Sequence, residues 1–163
     1  LAEGSPELDV RLVINKINYR KNDGILTPVN REKSYKVKYK NSTSDSTYKK
    51  SKGWYLIDGG KDLQFKLKGP KQVRVISRGH ASDSNFYSFS IREDGKYMSD
   101  YFYPNEKSSL DAHVILSDDK ISLTGYNSFF FNVPDGIHYY TIHSSEDDGS
   151  AVLLKLQNYI EKK

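Results

Sequence analysis

Residues 35–40 read Tyr35-Lys36-Val37-Lys38-Tyr39-Lys40, the plainest secondary-structure signal in the chain. Aromatic or apolar residues alternate with lysines at every position. Because successive side chains of a β-strand point to opposite faces, this spacing predicts a strand with one face packed inward and a lysine face in water. The same period of two recurs outward from this segment in both directions.

On the C-terminal side, the alternation continues around a Gly-Pro pair. Leu63 to Lys68 alternates and ends at Gly69-Pro70, and Val73 to Arg78 alternates again. Since proline cannot donate to a sheet ladder and both residues favour turns, we expect two strands joined as a hairpin.

A second hairpin is predicted further along the chain. Tyr87 to Arg92 alternates, Asp94-Gly95 supplies the positive φ angles of a tight turn, and Lys96 to Tyr103 returns.

The C-terminal half repeats this pattern of short strands and turns. The predicted strands are residues 112–116, 121–123, 129–133 and 137–142, with turns at Ser117-Asp118-Asp119-Lys120 and Pro134-Asp135-Gly136. Ala151 to Leu156 alternates as a strand, but Leu153, Leu156 and Ile160 also fit a helical stripe, and we favour the strand.

Three other segments complete the expected layout. Val10 to Ile17 is a plausible opening strand, and Asn41 to Gly53 is a loop too polar to bury. Asp58-Gly59-Gly60-Lys61 has neither the spacing nor the following helix of a phosphate-binding loop, so we interpret it as a hairpin turn.

About ten short strands without a normal amphipathic helix predict an all-β fold. We expect an antiparallel β-sandwich, jelly-roll-like, with a closed antiparallel β-barrel around a ligand cavity as the alternative. The 163 residues suit one domain, which we place at residues 9–163 after a flexible lead-in at residues 1–8.

Composition excludes several classes of chemistry. The chain has no cysteine, which removes disulfides, thiolate zinc sites, iron–sulfur clusters and cysteine nucleophiles. No apolar run reaches the ~18 residues of a membrane-spanning helix. Residues 1–80 carry 18 Lys and Arg against 8 Asp and Glu, while residues 81–163 carry 7 against 13. The basic half either supplies solvent-facing strand positions or forms a binding face for anions.

Catalytic and metal motifs are weak. No Gly-x-Ser-x-Gly occurs, and His80, His113, His138 and His143 are scattered. His138 and His143 are five apart, so on one strand they point to opposite sides and do not form a metal pair. We expect no cofactor. Calcium is the one ion considered, and its candidate ligands lie in acidic turns: Asp118-Asp119, Glu146-Asp147-Asp148, Asp83 and Asn85.

Nucleic acid is not the expected partner. Tyrosines and lysines interleave between Tyr35 and Tyr48, as in a stacking groove for single strands. Strand alternation separates the two residue types onto opposite faces, so stacking and phosphate contacts would not converge.

Several of these segments resemble a known group of proteins. Residues 54–57, 63–67, Gly69-Pro70 and 73–78 look like the strands and turns of bacterial exported β-sandwiches, including jelly-roll carbohydrate-binding modules. Residues 136–142 and 152–156 resemble their closing strands. The resemblance implies the fold and carries over no binding residue, because neither a signature calcium loop nor a defined aromatic triplet is present.

Aromatic residues are the informative excess, with 13 Tyr, 7 Phe and 1 Trp. A tyrosine joins a flat apolar ring to a hydroxyl, which suits sugar rings and protein partners alike. We therefore expect a non-enzymatic binding module for a glycan or a cell-envelope component. The candidate ligand-binding residues are Trp54, Arg78, Tyr97, Tyr101 and Tyr103. For Trp54 the competing interpretation is a core side chain.

Two alternatives remain open from the sequence. One is a structural or assembly protein of the bacterial envelope that binds a protein partner. The other is a glycan-active enzyme with dispersed carboxylates, for which Glu93 and Glu106 beside turns are weak candidates. The chain begins with a polar lead-in and no Met, so we expect a removed signal peptide and a periplasmic or extracellular location.

Overall fold

A computed structural model describes residues 19–59, 61–81, 85–144 and 151–161. Ten strands make up the regular structure of these residues: β1 (Tyr19–Ile25), β2 (Tyr35–Tyr39), β3 (Lys49–Ile57), β4 (Leu63–Gly79), β5 (Phe86–Glu93), β6 (Lys96–Pro104), β7 (Ala112–Leu116), β8 (Asp119–Ser122), β9 (Asn127–Ser144) and β10 (Val152–Glu161). The predicted lead-in at 1–8 and the predicted strand at 10–17 lie outside the described residues.

Every strand pairing in the described structure is antiparallel. The hydrogen-bonded order is β6-β5-β9-β4-β10-β3-β2-β7-β8, and β1 pairs with β10. β6 and β8 end this path and do not pair with each other within these residues, so the sheet does not close into a barrel. The predicted all-β antiparallel sandwich is confirmed over the closed barrel. None of the described segments is a helix of the length and hydropathy that crossing a membrane requires.

Two long bent strands create the layers of the sandwich. β4 and β9 pair from Leu63↔Ile142 to Ser77↔Asn127, with a register shift just after Gly69. β5 extends the sheet from one end of β9, whereas β10 extends it from the other end of β4. The bend brings these two ends face to face, because strands that turn a corner at a bulge can contribute to both layers.

The first core lies between these two layers. The Phe89 ring of β5 lies 6.1 Å from the Phe129 ring of β9, and Tyr101 of β6 stacks on Phe129 at 3.7 Å. Tyr87 is fully buried, and its hydroxyl lies 3.0 Å from the Ser77 hydroxyl across the core. Buried residues of β3, β4, β5, β9 and β10 fill the remainder.

A second core lies on the opposite face of β3 and β10. Trp54 and Leu153 point into it, and Val37, Val114 and Leu123 cover it from the β2–β7–β8 side. The neighbouring residues of β3 and β10 point into the first core instead. β10 is therefore buried on both faces, which explains its nearly continuous apolar sequence. The preference for a strand at 151–156 is confirmed.

The structure corrects two predicted turns. Gly69-Pro70 does not end a strand, and Pro134-Asp135-Gly136 does not form a turn, because both lie inside the continuous strands β4 and β9. Gly69 and Gly136 are paired across the ladder, so the two breaker segments bend together and pairing resumes beyond them. The predicted 63–78 hairpin is wrong for this reason.

The other predicted turns fare differently. Asp94-Gly95 joins β5 to β6 with positive φ angles of 48° and 79°, as expected. Ser117 and Asp118 do the same between β7 and β8. The Lys61 amide donates a 2.9 Å hydrogen bond to the Asp58 carbonyl, but the predicted hairpin is not formed. The segment connects β3 to β4, and β10 lies between these two strands in the sheet. The polar 41–53 segment is a loop only as far as Tyr48.

Candidate functional site

A cleft of about 650 Å³ opens on the face of β4 that points away from the first core. Residues of β2, β3 and β4 line it together with residues 108–110, Ala112 and residues 125–126. Val73, Val75 and Ser77 of β4 are buried toward the first core, so the residues between them face this cleft. Strand alternation alone therefore directs Arg74, Ile76 and Arg78 into one site.

The charges of the cleft have one sign. Arg74 and Arg78 come from β4, and Lys40 follows the end of β2. Among the described residues, those that line the cleft include neither Asp nor Glu. The cleft is therefore a cationic surface on a domain whose overall charge is only +4.

Arg78 is the most buried of these cations, with 7% of its surface exposed. Its Nη1 donates to the Thr124 carbonyl at 2.7 Å, and its guanidinium lies 5.6 Å from the Tyr126 ring centroid. Its Nε has no hydrogen-bond partner among the described residues. Burial lowers the pKa of Arg78, because a charged guanidinium loses hydration there.

Arg74 is half-buried and lies four residues before Arg78 on the same face of β4. Its Nη1 donates to the Tyr159 hydroxyl at 3.3 Å and its Nη2 to the Ser128 hydroxyl at 3.1 Å. Its guanidinium lies 5.9 Å from the Phe130 ring. As with Arg78, its partners are neutral, and within the described chain no carboxylate forms an ion pair with it.

Three aromatic residues contribute to the cleft at different depths. Trp54 is 3% exposed and forms part of the floor, with its indole N–H donating to Ser51 Oγ at 2.9 Å. Tyr39 is half-buried, whereas Tyr126 is 61% exposed at the rim. Tyr126 therefore offers a ring face that a ligand can contact, whereas Trp54 is buried in the floor of the cleft.

The predicted ligand-binding residues fall into two groups in the structure. Trp54 and Arg78 meet in the cleft. Tyr97, Tyr101 and Tyr103 lie on β6, in the other layer, away from the cleft. Of these three, Tyr97 is exposed, while Tyr101 and Tyr103 are half-buried against the first core.

Sequence reasoning missed Arg74 and Tyr126. Arg74 shares the period-two face of Arg78 in the segment 73–78, so the alternation already contained this signal. Tyr126 lies in a short connection between β8 and β9, and nothing in the local pattern indicates that this connection reaches the rim of the cleft.

A separate polar cluster lies where the β5–β6 turn meets the bend of β9. Ligand atoms of Glu93, Asp94 and His138 lie within 4.8 Å of one another, a grouping that could hold a metal ion. His138 Nδ1 is 2.8 Å from Asp94 Oδ2, and its Nε2 is 2.9 Å from the Asp135 carbonyl oxygen. The bond to the Asp135 carbonyl and then the one to Asp94 raise the pKa of His138. The arrangement favours an imidazolium ion paired with Asp94.

The calcium candidates do not converge in the described structure. Asp118 and Asp119 lie at the β7–β8 turn, and Asn85 precedes β5. Asp83 and the 146–148 cluster lie outside the described residues. Calcium stays an untested expectation.

The chain matches no protein-family model and no curated protein sequence. Among solved structures it is similar to a family 35 carbohydrate-binding module from an environmental isolate, at 8% identity, 91% coverage of this chain, 94% of that chain and a TM-score of 0.43. The CBM36-1 domain of a multidomain xylanase from the hindgut metagenome of Trinervitermes trinervoides gives 9% identity, 82% and 99% coverage and a TM-score of 0.40. The insecticidal delta-endotoxin Cry8Ea1 from Bacillus thuringiensis gives 14% identity, a TM-score of 0.41 and 68% coverage of this chain, which spans 20% of the endotoxin chain. Carbohydrate-binding modules, the group that the strand segments resemble, are thus among the similar solved structures.

Proposed function

We propose that this protein is a non-enzymatic binding module and that its cleft binds a glycan. The observation that carries the proposal is the cleft of about 650 Å³, which combines an exposed aromatic ring with several hydrogen-bonding side chains. A sugar presents both an apolar C–H face and a ring of hydroxyls. It therefore suits a surface where both kinds of contact lie together.

The donors and acceptors of the cleft surround its aromatic residues. Asn41, Ser108 and Ser109 supply neutral polar groups, and Arg74 and Arg78 supply charged donors. The rigid β4 strand holds both arginines, so their positions are set before a ligand arrives. The described residues that line the cleft include no pair of carboxylates such as glycoside hydrolysis uses.

Substitution of two equally exposed tyrosines tests the location of the site. Tyr126 is 61% exposed at the cleft and Tyr97 is 64% exposed on β6. A glycan array first identifies an oligosaccharide that the protein binds. We expect Tyr126→Ala to weaken binding of this oligosaccharide by about tenfold, because truncating an aromatic contact at a binding site can cost more than about 1 kcal/mol. Tyr97→Ala serves as the matched control and should leave affinity unchanged. If only Tyr97→Ala lost binding, the glycan site would lie on β6 and not in the cleft.

A second candidate function is assembly with a protein partner. β6 ends the sheet path, and in the part of the chain that the structure describes its outer side has no paired strand. Phe86 and Phe102 form an exposed edge-to-face pair there, with ring centroids 5.8 Å apart. An open edge strand with exposed aromatic residues is a template for another chain. Small-angle scattering that shows a dimer, and a monomer for Phe102→Lys, would support this function. Export to the periplasm or the cell exterior is part of the proposal for either function.

A further inference from the structure

The cationic cleft contains positive charges for which the described residues supply no counter-charge. Arg78 is only 7% exposed, yet its contacts are the Thr124 carbonyl oxygen and the Tyr126 ring, and both are neutral. A buried cation is stabilised chiefly by a nearby anion, and without one its lost hydration is only partly replaced. Within the described residues no carboxylate lies within ion-pair distance of Arg78.

Arg74, on the same strand, also has no counter-charge among the described residues. It is four residues from Arg78, so the two side chains leave β4 about 13 Å apart along the cleft at 3.3 Å per residue. The Nε atoms of both arginines are buried without a hydrogen-bond partner among the described residues. Lys40 adds a third positive charge to the lining. Two incompletely satisfied guanidinium groups and one ammonium group therefore lie around one open volume.

We propose that the glycan bound in this cleft is acidic and that its anionic groups pair with Arg78 and with Arg74. This inference rests on the proposed glycan function of the cleft. The shared chemistry is an anionic oxygen group on a sugar, either a carboxylate or a sulfate ester, and both match the planar array of guanidinium donors. Bound there, the anionic groups supply the counter-charges that the described residues do not provide.

Single-stranded nucleic acid is the less favoured occupant. Binding of single strands relies on successive aromatic platforms. Of the three aromatic residues that line the cleft, Tyr126 alone is exposed, because Trp54 is buried and Tyr39 is half-buried. One exposed aromatic ring among cationic side chains suits one sugar face with anionic groups beside it.

Calorimetric titration with matched oligosaccharides tests the proposal. The probes are a galacturonan oligomer, its methyl ester, a sulfated galactan oligomer, a neutral galactan oligomer and a single-stranded oligonucleotide. We expect at least about tenfold tighter binding of an anionic oligomer than of the methyl ester and the neutral oligomer, because charge-assisted hydrogen bonds are roughly twice as strong as neutral ones. The galacturonan and sulfated arms distinguish a carboxylate from a sulfate ester.

Charge-neutral variants locate the effect. Arg78→Gln should reduce the preference for the anionic oligomer at least about tenfold and leave weak binding of the neutral oligomer intact. Since Arg78 is buried and its replacement can impair folding, Arg74→Gln and Lys40→Gln are measured beside it. Lys68→Gln is the control, because Lys68 is an exposed cation of the same strand outside the cleft lining.

The remaining outcomes separate the acidic ligand from the glycan-binding function of the cleft. Equal binding of charged and neutral oligomers, lost in Tyr126→Ala, overturns the acidic ligand and leaves the proposed function standing. Absence of binding to every oligosaccharide overturns both. Tight binding of the oligonucleotide alone overturns both and assigns the cleft to nucleic acid. A loss of preference in Lys68→Gln equal to that in Arg74→Gln shows unspecific charge attraction and also overturns the proposal.

Discussion

Replacing Gly69 by alanine tests the bend on which the two layers depend. Gly69 lies where β4 and β9 bend together, opposite Gly136. A Cβ atom on Gly69 would lie 1.7 Å from the Pro134 carbonyl oxygen and 2.6 Å from the Val133 carbonyl oxygen. Carbon–oxygen contacts normally begin near about 3.3 Å, so the β9 backbone would have to move by about 1.6 Å.

The obstructing atoms determine the size of the effect. Overpacking against side chains typically costs about 1–3 kcal/mol because rotamers can adjust. At Gly69 the obstacle is backbone that belongs to a paired strand, and it cannot change rotamer. We expect Gly69→Ala to lower the free energy of unfolding by at least about 3 kcal/mol, a large share of the about 5–15 kcal/mol typical of a domain. For a chain of this size that loss corresponds to a fall of about 6–12 °C in Tm.

Urea unfolding followed by circular dichroism, together with calorimetric melting, measures this loss. Gly125→Ala is the control, because no atom lies within 4 Å of its Cβ position and its φ is not left-handed. The control should change stability by less than about 1 kcal/mol. If Gly69→Ala unfolds within about 1 kcal/mol of the wild type with an unchanged m-value, β4 and β9 do not approach as described, and the account of the bend fails.

Three further predictions address the core, a titrating group and the floor of the cleft. Leu154→Ala should cost about 2–5 kcal/mol in chemical denaturation, since this side chain is 0% exposed, while Ile115→Ala at 43% exposure should stay within about 0.5 kcal/mol. His138 should titrate above its ordinary pKa of 6.5 in an NMR pH series. Its contribution to stability is therefore complete below about pH 6.5 and disappears as the pH rises through the raised pKa. If His138→Gln lost as much stability as the wild type over this pH range, the assignment to His138 would be contradicted. Ser51→Ala removes the hydroxyl that accepts from both the Trp54 indole N–H and the Lys155 ammonium group and should cost about 1–3 kcal/mol, and an unchanged unfolding midpoint would show that these two bonds contribute nothing.

Local pattern was sufficient for most strands of this protein. β2 begins at Tyr35 and ends at Tyr39, and the Asp94-Gly95 turn joins β5 to β6 as expected. These elements share a simple physical basis, because side-chain alternation and positive φ angles depend only on neighbouring residues. Arg78 is a candidate ligand-binding residue for a different reason, because a guanidinium group can form two hydrogen bonds to a sugar or a carboxylate.

Non-local pairing decided what local pattern misread. Gly69-Pro70 and Pro134-Asp135-Gly136 have the composition of turns, and each segment taken alone favours one. Paired opposite each other, they become a joint bend inside two continuous strands, because the ladder resumes on both sides. The ambiguity of residues 151–156 has a similar origin, since a strand buried on both faces loses its alternation.

The amino-acid sequence by itself determined the all-β class, most strand positions and the alternation that sends Arg74 and Arg78 to one side of β4. Only the tertiary structure decided that Tyr126 reaches the rim of the cleft beside these arginines and that Trp54 is buried in its floor. It also decided that the β6 tyrosines lie in the other layer. The physical reason is range: alternation acts between adjacent residues, whereas a cleft is formed by side chains from separate strands and loops, brought together when long strands bend and close two cores.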